Sequence, residues 1–211
     1  MKRPIFLLTF MAILTGVLAF TQEKPAAKSS EKPAKAAAGT TSREATVRQA
    51  LSAAPTSIRK TATVKDWSGN TLKEGSSDYV CMPGPPEMKG VGPMCLDKVW
   101  QSWADAWMNK KDPQINGVGI AYMLQGDAGV SNTDPYAKTR TADNQWVVSG
   151  PHTMVLVPDK SALDALPTDP NNGGPWVMWK GTPYAHIMVP MGGKTGMGTM
   201  GEKPKAEAPK P

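Results

Sequence analysis

After Phe20 the chain contains no phenylalanine, and over its full 211 residues it has only two cysteines and two histidines. Two thiols cannot by themselves supply the four ligands of a structural zinc site. They are not spaced Cys-x-x-Cys, as redox pairs usually are, and no Cys-x-x-Cys-His run offers a haem attachment point. No Gly-x-Ser-x-Gly elbow is present to carry a hydrolase nucleophile. Gly193-Lys194-Thr195 has the outline of a phosphate-loop terminus, but Met188 stands where the first glycine belongs. Between residues 51 and 193 the only glutamates are Glu74 and Glu87, so paired-carboxylate glycoside chemistry would fall to aspartates. These absences point away from catalysis and from any resident cofactor.

Charge of one sign is also scarce where it would matter. The net charge is +6, yet residues 51–193 carry 12 basic and 13 acidic side chains. The excess sits at the two ends of the chain, whereas a nucleic-acid binder gathers Lys and Arg on a folded face. No nucleic-acid partner is expected, and the basic flanks read as solubilising linkers.

The start of the chain is informative. Lys2 and Arg3 precede an uncharged apolar run over residues 4–20. This is the pattern of a secretory signal peptide, with small residues placing the cut after Ala19. The run is shorter than the roughly 20 residues of a membrane span, so no span is expected after cleavage. No cysteine follows the cut to take a lipid. The expected location is periplasmic or extracellular, in the cell envelope. Residues 23–38 and 202–211 are built from Ala, Lys, Pro and Glu with two serines, a composition with too little apolar surface to offset the entropy of ordering, and the tails at 20–40 and 192–211 are drawn around them. Both are expected to be disordered tails around one domain at residues 41–191. A domain of that size buries roughly 70% of its unfolded surface.

In an exported chain with two cysteines, Cys81 and Cys95 are expected to form a disulfide. The 13 residues between them include seven Pro or Gly. Closing such a loop stabilises by about 3 kcal/mol in the chain-entropy model.

Thr41-Ser42-Arg43-Glu44 has capping-box spacing and predicts a helix that ends before Pro55. Short β-rich pieces follow at residues 62–67, 71–74 and 78–82. Residues 96–109 are the strongest helix, with Leu96, Val99, Trp100, Trp103 and Trp107 on one stripe. Strands are predicted at 117–124, 146–148, 152–157, 176–179 and 185–189, with a short helix at 161–166 capped by Asp159. The sum is an α+β domain with a mainly antiparallel sheet and two or three short helices. The segments at 149–159 and 175–190 (PWVMWKGTPYAHIMVP) resemble an uncharacterised family of exported bacterial proteins without assigned activity. The resemblance implies one exported domain and carries no residue role.

Four constellations remain. Trp100, Trp103 and Trp107 form either a packing face or an aromatic ligand groove. The polar loop at residues 126–144 offers Asp127, Asn132, Asp134 and Tyr136 to a ligand or partner, although Asp before Pro135 is also a turn-forming pair. His152-Thr153-Met154-Val155 and His186-Ile187-Met188-Val189 share a His-x-Met-Val pattern. Residues two apart on a strand share a face; on neighbouring strands His152, Met154, His186 and Met188 would gather as a soft ligand set suited to Cu(I). The same residues also fit plain core packing. Finally, Ser149 or an aspartate with His152 or His186 is the residue set of a hydrolase. The leading expectation is an exported, non-catalytic binding or accessory protein of the envelope. Copper binding is the alternative, and a His/Asp hydrolase the second alternative.

Overall fold

The structure is a computed structural model that describes residues 32–192, with side chains from Ser42 onward. The expected export signal and the expected C-terminal tail beyond Gly192 lie outside the described residues. Ten strands and three α-helices make an α+β domain. Eight strands form one sheet in the order β2-β1-β3-β4-β5-β8-β10-β9, and β6 pairs with β7 as a separate ribbon. The strands are β1 Thr63–Lys65, β2 Thr71–Lys73, β3 Val80–Met82, β4 Met94–Leu96, β5 Gly119–Met123, β6 Val130–Ser131, β7 Trp146–Val147, β8 His152–Leu156, β9 Trp176–Met178 and β10 His186–Pro190. In the large sheet only β1 and β3 run parallel; every other neighbouring pair is antiparallel. Among the described residues, no helix is long and apolar enough to cross a membrane.

Helix α1 spans Lys32–Leu51, so it starts inside the stretch expected to be a disordered linker. The helix has a physical basis there. Residues 34–38 are Ala and Lys, strong helix formers, and Pro33 falls in the first turn, where its missing N–H costs nothing. The capping-box residues 41–44 therefore lie within the helix. The C-terminal end of α1 brings Ala50 to one face of β3 and β4, where Ala53, Ala54, Cys81, Cys95 and Val64 close a small, tightly packed cluster. The short helix α2, Thr56–Thr61, begins directly after Pro55 and was not foreseen.

Helix α3, Lys98–Met108, covers the opposite face. Its N-cap is Asp97, whose carboxylate accepts from the Trp100 N–H at 2.9 Å and from the Ile120 N–H, tying the helix start to β5. Such a cap is worth about 1 kcal/mol. Gly119 lets the helix approach closely: a Cβ there would stand 3.0 Å from Val99 and 3.1 Å from Trp100. Leu96, predicted as the first helical residue, instead ends β4. That strand was missed because only three residues separate the Pro/Gly-rich loop from the cap. The predicted helix at 161–166 is a 3₁₀ turn, Lys160–Leu163, capped by Asp159 as foreseen.

Cys81 and Cys95 form a disulfide and stand directly opposite each other on β3 and β4. The bridge thus staples an existing strand pair and closes the base of loop 83–93. Both edges of the sheet are covered by the chain itself. On β2, the Arg43 guanidinium donates to the Leu72 carbonyl at 2.8 Å; on β9, the Val177 N–H donates to the Pro167 carbonyl at 2.8 Å.

Candidate functional site

Strands β8 and β10 are antiparallel neighbours, with Met154 opposite Met188 and His152 opposite Pro190. In β5, Ala121 faces Met154 and Met123 faces His152; in β9, Met178 faces His186 and Trp176 faces Met188. Since opposite partners and residues two apart share a side, His152, Met154, His186 and Met188 all lie on the face that α3 covers. The register nevertheless keeps the two imidazoles apart. His186 sits four residues along β10 from the partner of His152, about 13 Å at strand rise.

The two rings have different surroundings. His152 is fully buried, and its Nδ1 donates to the Gly150 carbonyl at 2.8 Å, since a carbonyl can only accept. Its Nε2 lies 3.8 Å from Asp127 Oδ2, beyond hydrogen-bond range. His186 is 2% exposed, and its Nδ1 donates to the Tyr184 carbonyl at 3.0 Å. Burial lowers its pKa to about 4, with the Tyr184 carbonyl pulling it upward. At neutral pH the ring is uncharged, and Nε2 carries a free lone pair without a hydrogen-bond partner.

His186 borders a cavity of about 80 Å³ between the sheet, α3 and the disulfide loop. The sheet contributes Met123, Met154, Met178 and Met188 as its floor. The wall is the α3 stripe of Trp100, Trp103 and Trp107. The stripe is at once a packing face and a cavity lining, two roles that the sequence set against each other. Around His186 stand Trp100, Trp103 and Trp179 at 5.3, 5.7 and 5.0 Å between ring centres, each nearly perpendicular to the imidazole. Trp179 stacks on Trp103 and holds φ at 56°, a left-handed backbone that bulky residues seldom adopt. The indole N–H groups of Trp100 and Trp103 are buried without partners.

The roof is the disulfide loop, with Pro85, Met88, Val91 and Met94. Sequence reasoning read this loop only as the Pro/Gly-rich stretch closed by the disulfide and missed its methionines, which the close repeat of Met82, Met88 and Met94 around two cysteines would have signalled. The loop is pinned in two ways besides the disulfide. The buried Asp127 accepts from the Gly92 N–H at 2.8 Å, and the Ala128 N–H donates to the Gly90 carbonyl at 2.8 Å. Gly90 and Gly92 rest against the backbones of Gly129 and Gly126 so closely that no side chain fits. Burial pushes the Asp127 carboxyl above its ordinary value, while His152 and the Gly92 N–H pull it back. Beyond the roof lies an outer groove of about 470 Å³. Trp67, Pro85, Met88 and Trp107 line both spaces and stand at their junction.

The polar loop is less available than its composition suggested. Asn132 is buried; its amide donates to Gln145 and to the Thr168 carbonyl, and its oxygen accepts from Trp176 Nε1. Asp134 accepts from the Tyr136 N–H at 2.8 Å. Tyr136 stacks on Trp107 and donates its hydroxyl hydrogen to the Trp107 carbonyl. Asp127, Asn132, Asp134 and Tyr136 therefore do not converge on one site. Among the described residues, Ser149, His152 and Asp127 are all buried, and His152 Nε2 is out of hydrogen-bond range of Asp127. Among the described residues, no cluster of three or more His, Cys, Asp or Glu side chains is placed to hold a metal ion. Comparison of the chain with protein families, with curated proteins and with solved structures found no match.

Proposed function

We propose that this is an exported, non-catalytic binding protein of the cell envelope, and that its ligand site is the Trp/Met cavity beneath the disulfide loop. One observation carries the reading: an almost wholly apolar hollow, adjoining a surface groove, is bordered by His186, whose Nε2 is a buried acceptor without a partner, and by the unpaired indole N–H donors of Trp100 and Trp103. Close-packed cores rarely leave such space, and small-molecule sites are apolar concavities with a few placed polar groups. Lys2, Arg3 and the apolar run after them support export; the disulfide fits an oxidising compartment.

The test uses xenon, an apolar atom that enters dry cavities. With 13C-methyl methionine labelling, xenon pressure is expected to shift the methyl signals of Met88, Met94, Met123, Met154, Met178 and Met188 selectively. An Ala104→Phe variant fills the space beside α3 and should abolish those shifts while the protein stays folded. Uniform shifts across all methionines, exposed Met108 and Met191 included, would remove the assignment of this cavity as the site.

A further inference from the structure

We propose that the cavity binds one soft monovalent metal ion, Cu(I), through His186 Nε2 and the thioethers of Met178 and Met188. This inference rests on the cavity being the ligand site and names what it takes.

The donors converge by register alone. Met178 is the cross-strand partner of His186, and directly opposed Cβ atoms stand about 5 Å apart. Met188 is two residues further along β10 on the same face, opposite Met154. All four residues line the same cavity. Thioethers are flexible enough to turn their sulfur toward a common point.

The imidazole is prepared for the role. A metal-binding histidine ordinarily donates its second ring N–H to a backbone carbonyl or carboxylate, which fixes tautomer and direction. His186 does this through Nδ1 to Tyr184. Its Nε2 is buried without a partner beside the cavity, and an unpaired buried acceptor is costly unless something occupies its lone pair.

The charge balance selects the ion. None of the three donors is anionic, and Asp127, the one carboxylate at the cavity, is engaged by Gly92. A divalent ion would bring two uncompensated charges into an apolar space, whereas Cu(I) brings one and prefers sulfur and imidazole. The indoles of Trp100, Trp103 and Trp179 close around His186 supply π systems of the kind that attract a cation. A chain of thioethers reaches the cavity, with Met88 at its junction with the outer groove and Met94 beyond it. His152 is outside the site: it does not border the cavity and faces Asp127.

The experiment is an anaerobic titration of the full exported chain with Cu(I) against a chromophoric Cu(I) chelator, with tryptophan fluorescence and X-ray absorption as second readouts. One Cu(I) per chain, a mixed sulfur/nitrogen shell and quenched tryptophan emission are expected. His186→Leu should weaken binding by at least about tenfold, the lower end of the loss seen when even an outer partner of a metal ligand is changed. Met178→Leu with Met188→Leu conserves volume and fold and should weaken binding comparably and remove sulfur from the shell. His152→Gln should leave affinity unchanged. Binding that depends on His152 instead of His186, or that survives all three of these changes, would overturn the site. Absence of Cu(I) binding with xenon binding intact would sink the metal inference and keep the cavity. Loss of both would end both readings.

Discussion

Against β1, β3 and β4, α1 sets Ala50, Ala53 and Ala54 beside a disulfide. Against β5, β8 and β10, α3 sets Trp100 and Trp103 over a floor of methionines. One sheet is therefore packed in two ways. Small rigid groups pack closely on one side; among the described residues, the buried side-chain polar atoms without a partner, on Trp100, Trp103, Ser149, His152 and His186, lie in the other half. Large indoles and pliable thioethers cannot fill space so evenly, and a hollow remains. On the proposed reading, the alanine side is the scaffold and the tryptophan side receives the ligand.

The contrast breaks most sharply at Trp100, which is 1% exposed. Trp100→Ala should cost about 3–5 kcal/mol in denaturant melts, while the Cys81–Cys95 bridge still forms and is visible by thiol counting. Replacing both cysteines by alanine should cost about 3 kcal/mol in the metal-free protein by the chain-entropy relation, and should also loosen the roof, read as faster amide exchange at Gly90 and Gly92. Acid should act on the receptor half of the metal-free protein. His186 has a folded pKa of about 4 against an ordinary 6.5, so the unfolded chain binds the extra proton first. Stability is then full above pH 6.5 and falls by about 3 kcal/mol as pH drops toward 4. Asp127, raised by burial, contributes in the opposite sense, gaining stability as the pH falls. His186→Leu should flatten the slope between pH 6.5 and 4.5; an unchanged slope would show that another group carries it. The smallest effect separates the two packings directly. Ala53→Leu should cost about 1–3 kcal/mol through overpacking, and Met178→Leu less than about 1.5 kcal/mol, both from thermal melts.

Much of this was legible in the chain. Alternation at residues 152–157 and 185–189 placed β8 and β10, and the 3–4 spacing of Trp100, Trp103 and Trp107 placed α3 and its buried face. Two cysteines in an export context gave the bridge. What escaped depended on contacts distant in sequence. Asp127 looked like a loop oxygen because nothing local shows that its partner is the Gly92 N–H, 35 positions away. Asn132 looked free because its partners are Thr168 and Trp176. The His-x-Met echo predicted a shared face but could not predict that antiparallel order would send the two imidazoles to opposite ends. Loop 83–93 hid its role as a roof because Pro and Gly carry no periodic signal.

The covered rims of the sheet have a consequence for how copies of this chain coexist. A strand with open ladder groups invites a foreign strand to add to it, the usual beginning of fibrous association. Here Arg43 occupies one rim and Pro167 the other, so neither border offers an uninterrupted template. The molecule should remain dispersed when crowded, and an Arg43→Ala protein should be the first to clump on prolonged concentration.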